Sequence, residues 1–343
     1  MMENILPLFK TDYSIGKSIL TLDDTEEIKK DSSVSVFAIC KKHGIEDLYL
    51  VEDSMRGFLK AYINCDKHSL NLRYGLRVSI CPSISKKNEE SRKQSSKIII
   101  FAQTASGTDK LIKIYSKAAK EGFYHVPRVD CDLLSEYWDE QDLALCVPFY
   151  DSYLFVNTIQ HGVSLPDLGQ FNPTFFLEDN DLPFDSIVRD AVISHTSITK
   201  EDVQSVQSVY YYEKDDFLAY LTFRCIGKRS DLACPRLDHM GSELFCFENY
   251  LNKKMSEHIS KVFQPKKVEK EWGYELWLAN NSRHDYCGKI LHVNEGYRGS
   301  MHWHLKKHET FYILKGEMQL DLLNTEKGTV YTEHLKEGDC YEI

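Results

Sequence analysis

Short apolar runs alternate with helix-period stretches through the first half of the chain. VSVFAICKKHGI (34–45), DLYLVEDS (47–54) and RVSICPS (77–83) read as strand and helix pieces in βα order. KIIIFAQT (97–104) is a β-branched run that predicts a buried strand, and ALCVPFY (144–150) predicts another. In TDKLIKIYSKAAKEG (108–122) the apolar positions Leu111, Ile112, Ile114, Tyr115 and Ala118 recur at helical spacing, with Gly122 placed to end the helix. Such alternation predicts an α/β layered domain with mainly parallel strands. SKKNEESRKQSS (85–96) is polar throughout and reads as a solvated loop.

The pattern changes after LNKKMSEHISKVFQPKKVEK (251–270), which carries six lysines and no glycine. A short helix followed by a basic linker is expected there. Beyond it, KILHVNEGYRG, ETFYILKGEMQLDLL and TVYTEHLKEGDCYEI are alternating strands separated by glycine-containing turns, an all-β unit. The expected organisation is residues 1–250 as one domain, 251–263 as linker and 264–343 as a second domain.

Composition narrows the setting. Of 343 residues, 42% are hydrophobic and the net charge is −10, with acidic residues in excess on both sides of the expected boundary. A phosphate backbone is repelled on average, which disfavours broad nucleic-acid binding. No apolar run is long enough to span a bilayer, and the first residues lack the form of a secretory signal. Ten cysteines without a Cys-x-x-Cys pair argue against a zinc knuckle or a disulfide framework and for a reducing cytoplasm. GKSIL (16–20) lacks the upstream glycine of a phosphate-binding loop. Tyr210, Tyr211 and Tyr212 are a candidate stacking surface for bases, although alternate tyrosines in a strand more often pack against a core.

One stretch carries chemistry by its spacing: GYRGSMHWHLKKHETFYILKG (296–316). In a strand, residues two apart share a face, so His302 and His304 project together. Glu309 opens the next strand. Two imidazoles and a carboxylate suit Fe(II), Mn(II), Ni(II) or Zn(II) with positions left open. The string Gly296-x5-His302-x-His304-x4-Glu309-x6-Gly316 resembles the first signature motif of the cupin family. With Trp272, Gly273 and Trp277 upstream, residues 264–343 resemble cupins of the mannose-6-phosphate isomerase type. The resemblance implies a small jelly-roll barrel holding a divalent metal on His302, His304 and Glu309, with His308 facing away. It implies an enzyme that isomerises or epimerises a sugar phosphate. The family's second motif would begin at Gly338, so the expected cupin domain is truncated before its metal-binding histidine and last barrel strands, whether as a fragment, as a truncated gene or as a barrel that another chain completes. An open barrel offers an edge for homo-oligomerisation.

The first ~250 residues suggest a second resemblance. EGFYHVPRVDCDLL (121–134), the preceding KIIIFAQTASGTDKLIKIYSKA, QSVYYYEKDDFLAYLTFRCIGKR (207–229), FFLEDNDLPFD (175–185) and LFKTDYSIGKS (8–18) resemble, in order, the PHP domain of the bacterial DNA polymerase III alpha subunit. That domain is a β/α barrel that binds metals through His, Asp and Glu and hydrolyses phosphoesters. Here its ligand positions fall on Lys10-x-Asp12, Glu52-Asp53, Arg77 and Ser208-x-Tyr210. The imidazoles are gone and two cations stand in their place. The implied domain is metal-free and hydrolytically silent, with Lys10 and Arg77 paired to Asp12, Glu52 and Asp53. Three functions follow as expectations. The first is a metal-binding, isomerase-like cupin fused to a silent PHP-like domain. The second is a non-enzymatic scaffold within a replication assembly. The third is a residual phosphoesterase on Asp12, Glu52 and Asp53.

Overall fold

The computed structural model describes residues 5–24, 26, 33–233, 236, 239–259, 264–281, 286–299, 309–325 and 327–342. The chain divides into two compact units, Met1–Lys261 and Val262–Ile343. Among the described residues no helix is long and apolar enough to cross a membrane.

The first unit contains eight strands: β1 (Leu6–Phe9), β2 (Asp47–Glu52), β3 (Asn71–Ile80), β4 (Ser96–Ala102), β5 (Arg128–Val129), β6 (Leu143–Val147), β7 (Thr174–Leu177) and β8 (Val203–Val209). Seven of them close into a barrel in the order β2-β1-β8-β7-β6-β4-β3, with β3 returning to β2 and β5 added beside β3. Closure removes the free sheet edges that an open sheet would expose. The pairings of β1 with β2 and β8, of β2 with β3, and of β7 with β6 and β8 are parallel. β4 runs antiparallel to both its neighbours. The expected mainly parallel sheet is therefore present, with one reversed strand.

Nine helices are described in this unit: α1 (Val36–His43), α2 (Phe58–Lys67), α3 (Glu89–Lys93), α4 (Ala105–Lys120), α5 (Cys131–Tyr137), α6 (Tyr153–Ile159), α7 (Asp185–Thr199), α8 (Phe217–Lys228) and α9 (Phe247–Ile259). Ser35, Asn88, Thr104, Asp130 and Ser152 cap α1, α3, α4, α5 and α6 by accepting first-turn N–H groups that would otherwise lack partners. Strand alternation splits the apolar residues into two sets. Leu8, Val51, Ile99, Phe101, Cys146, Phe176 and Val206 fill the barrel interior. Leu50, Leu76, Ile98, Ile100 and Leu145 belong to the larger core that also takes in the helix faces, such as Leu111 and Ile114 of α4.

Two expectations need correction. Residues 85–96 are not simply a solvated loop, because they include α3. The buried Arg128 requires acceptors, and it finds them at Ser91 Oγ (3.0 Å) and the Lys86 carbonyl (3.1 Å) in this segment. The expected linker 251–263 begins as the second half of α9. Phe247 and Tyr250 are buried, and Lys253 donates to Gln207 at 2.6 Å, so this part of the helix is docked on the barrel unit. The three tyrosines do lean on core: Tyr211 is fully buried, and Tyr210 stacks on Tyr220 and Phe245.

The second unit is antiparallel throughout its described pairings. β9 (Lys266–Lys270), β10 (Gly273–Asn281) and β11 (Tyr286–Val293) form one sheet. β12 (Thr310–Tyr312) pairs with β15 (Cys340–Glu342), and β13 (Glu317–Asn324) pairs with β14 (Thr329–Lys336). The sheets are consistent with an all-β domain.

The loop after β1 is pinned on α8 by backbone contact. Gly16 has φ +71°, and a Cβ added to Gly227 would lie 2.7 Å from the Gly16 Cα. In a helix, Ala is ordinarily favoured over Gly by about 1 kcal/mol. Here overpacking, which typically costs about 1–3 kcal/mol, should outweigh that gain. We expect Gly227→Ala to lower the unfolding free energy in denaturant titration; an increase would show that the close approach is absent.

Candidate functional site

The interior face of the barrel changes character at one end. Alternation puts Leu6, Leu8 and Lys10 in one inward row, Tyr49, Val51 and Asp53 in the next, and Gly75, Arg77 and Ser79 in a third. Each row passes from apolar to polar toward the C-terminal end of its parallel strand. The reversed β4 contributes from its beginning instead. Lys97 is the cross-strand partner of Ser79 and donates to its Oγ at 2.7 Å. Glu178 follows β7, and Ser208 lies near the end of β8. A cavity of about 40 Å³ sits at this mouth, bordered by Lys10, Arg77, Pro148, Glu178, Ser208 and Tyr210.

Asp53 is the hub. Its carboxylate lies 3.3 Å from Lys10, 2.8 Å from Lys17 and 3.5 Å from Arg77. Arg77 also pairs with Asp151 at 2.5 Å, and the Lys97 amide donates to the Asp151 carbonyl at 2.8 Å. Burial pushes the Asp53 carboxyl up, but Lys10, Lys17 and Arg77 outweigh it and hold the group well below the usual carboxylate range. Asp151 is treated likewise: burial raises it, and Arg77 and Lys17 bring it below its ordinary value. Two lysines bear the complementary effect. Burial, then the neighbouring Arg77 charge, lowers Lys17 to about 7 and Lys97 to about 8. Glu178 is pushed up by burial, although Ser208 donates to it through its N–H (3.1 Å) and its hydroxyl (2.8 Å).

The positions read from the sequence are only partly brought together. Lys10, Asp53, Arg77, Ser208 and Tyr210 reach the same mouth. Glu52 does not join them, because adjacent strand residues face opposite ways. Its carboxylate is turned into the loop after β1, accepting from the Thr11 N–H (2.8 Å), the Thr11 hydroxyl (2.6 Å) and the Ser14 hydroxyl. Burial raises its pKa. Asp12 is raised by burial and then by Asp23, with Lys60 opposing, so its electrostatic neighbours are outside the hub. The expected clustering of Asp12, Glu52 and Asp53 is thus corrected. Ser14 links the two sides: its hydroxyl bonds Glu52 and accepts from the Asp53 N–H at 3.0 Å. Lys17, Lys97, Asp151 and Glu178 were missed by sequence reasoning. For Lys97, Asp151 and Glu178 the available signal was a charged residue directly flanking an apolar run, whereas Lys17 lies in the loop after β1 and carried no such signal.

The donor set does not fit a metal. Both ionised carboxylates are already neutralised by fixed cations, and a divalent ion would have to displace Arg77 and Lys10 against their charge. The nearest histidines by sequence serve elsewhere: His43 contacts Tyr212 and Phe247, His68 pairs with Asp24, and His195 bonds Tyr153. Among the described residues no group of three or more His, Cys, Asp or Glu is arranged to hold a metal. In the second unit, His302 and His304 lie outside the described residues, as does His308. Glu309 is half-buried and immediately precedes β12.

A lysine whose folded pKa lies below its unfolded value binds fewer protons in the native state. The native state therefore gains stability as pH rises from about 7 toward 10.5 for Lys17. We expect Lys17→Met to flatten that part of the stability–pH curve, measured by denaturant unfolding between pH 7 and 10 on the scale of those values. An unchanged slope would contradict this placement of the ammonium.

Residues 9–159 match the PHP domain family. Over 119 residues the chain is 30% identical to a DNA polymerase III subunit alpha of Chlamydia trachomatis serovar D. That stretch covers 34% of this chain and 9% of the relative's length. Residues 9–159 are thus similar to a PHP domain, and the mouth of the barrel to which they contribute is built from cations and carboxylates in mutual contact.

Proposed function

We propose that the barrel unit is a metal-independent, non-hydrolytic PHP domain that acts as a binding platform. The observation that supports it is the hub at Asp53, where Lys10, Lys17 and Arg77 all lie within 3.5 Å of one carboxylate. Phosphoester hydrolysis on such a barrel needs a cation that generates a nucleophilic water. Fixed ammonium and guanidinium groups supply charge but cannot lower the pKa of a bound water as a coordinated metal does. The likeness to a DNA polymerase III alpha subunit makes a replication assembly the first place to seek a partner.

The third expectation, a residual phosphoesterase, would need Asp12, Glu52 and Asp53 to act on one centre. Their divergent environments weigh against it. Incubating the full chain with Mn(II) or Zn(II) and an aryl phosphate should give no hydrolysis above buffer. Metal-dependent turnover that disappears in Asp53→Asn would overturn the reading.

A second reading concerns the C-terminal unit, and a specific pattern favours it. Gly296 and Gly316, which bracket the His-x-His…Glu string, both adopt positive φ, +80° and +85°. They are turn positions flanking the motif, as a cupin barrel would require. We propose that His302, His304 and Glu309 hold a divalent metal in this unit and that its substrate is a sugar phosphate, as in cupins of the isomerase type. When bound, the metal would polarise a carbonyl. The expected result is one equivalent of Fe, Mn, Ni or Zn by elemental analysis of the purified chain, falling at least tenfold in His302→Ala/His304→Ala. Equal metal content in both proteins would contradict it.

A further inference from the structure

Helix α8 buries one side and presents the other to solvent. Tyr220, Leu221, Arg224 and Cys225 are buried, whereas Leu218 and Ile226 are 63% and 68% exposed. A shallow groove of about 530 Å³ runs along the exposed side, lined by Ile19, Leu218, Ala219, Thr222, Phe223 and Ile226. The loop after β1 borders it, because Gly16 touches Gly227 and holds the exposed Ile15 next to it. Side chains four apart on a helix share a face, so Leu218, Thr222 and Ile226 form one stripe. A contiguous apolar surface of this kind marks a place where something docks.

The charges at the two ends of the stripe select the occupant. Asp215 lies three residues before Leu218, and Arg229 lies three after Ile226, so both continue the same stripe. Outward from Thr222, each position has its complement at the same distance on the other side. Leu218 and Ile226 are four residues away, Asp216 and Lys228 six, and Asp215 and Arg229 seven. A two-fold interface requires such self-complementarity. We propose that the chain pairs with a second copy of itself through α8, the two helices antiparallel about an axis at Thr222. Leu218 of each copy then covers Ile226 of the other, and Asp215 of each meets Arg229 of the other. A parallel pairing would set acid against acid and base against base, which is unfavourable. Thr222 sits on the axis at little cost, since its hydroxyl already donates to the Leu218 carbonyl at 2.7 Å. The 12 residues of α8 span only about 18 Å, so the contact falls below the roughly 800 Å² per partner of a standard interface. The dimer is therefore a weak, reversible one.

The test is sedimentation velocity of the full chain from about 1 to 200 μM, the range in which a weak dimer forms and dissociates. A monomer–dimer equilibrium is expected, weakened about tenfold or more by Leu218→Glu, which places a charge in the apolar seam. Asp215→Arg and Arg229→Asp should each weaken it about fivefold or more, because each sets like charges together at both ends. The double variant Asp215→Arg/Arg229→Asp exchanges the signs and restores the complement, so it should return to within about threefold of the parent. All three positions are exposed, and circular dichroism confirms that the variants fold. A chain that stays monomeric at every concentration overturns the inference. So does a dimer indifferent to Leu218→Glu, because another face then joins the copies. Single charge variants that weaken the dimer without recovery in the double variant overturn the antiparallel pairing.

Discussion

The contact between Asp53 and the guanidinium of Arg77, with Lys10 and Lys17 on the same carboxylate, is the constraint on which the rest of the barrel mouth depends. Arg77 is nearly buried and cannot shed its charge. Taking that charge out of water costs several kcal/mol unless partners surround it. Asp53 and Asp151 are those partners, and the strands they follow, β2 and β6, are on opposite sides of β3 around the ring. The arginine therefore ties distant parts of the barrel wall together. Such a pair is weak evidence for extra stability, since a well-packed apolar substitute can do as well. Its bearing is on the proposed chemistry, because it places charges where a hydrolytic barrel would need an open coordination sphere.

The loop after β1 brings a second charge to the hub. Gly16 and Gly227 touch through their backbones, which seats the loop on α8. Ser14 and Thr11 then bind Glu52, and Ser14 also takes the Asp53 amide. Lys17 follows from that seating. The adjacent residues Glu52 and Asp53 thus divide two tasks by facing opposite sides of the wall: one anchors the loop, and the other receives the lysine the loop carries.

Much of this was readable in the residues. The apolar runs at 97–104, 144–150 and 47–54 each contain a strand, and the apolar positions of the helical period, Leu111 to Ala118, lie within α4. Lys10, Asp53, Arg77, Ser208 and Tyr210 were placed at one site by their order along the chain, and they meet there. What was not readable has physical causes. An apolar strand run does not reveal its direction, so the reversal of β4, and with it the arrival of Lys97 at the mouth, was hidden. Glu52 was grouped with Asp53 although the two-residue period of a strand separates them. Asp151 and Glu178 belong to no motif, and only closure of the ring brings them near Arg77. The polar run at 85–96 concealed α3 because its ordering depends on Arg128, far along the sequence.

We propose that Asp53 and Arg77 form an energetically coupled pair in the place a metal centre would otherwise hold. A double-mutant cycle on unfolding free energy, with Asp53→Asn, Arg77→Met and the double variant, measures this directly. Asp53→Asn alone is expected to be strongly destabilising, by about 3–5 kcal/mol, because it leaves buried cations uncompensated. The same change is expected to cost clearly less once Arg77 is Met. Additivity within about 0.5 kcal/mol would contradict the coupling, because the two groups would then be independent.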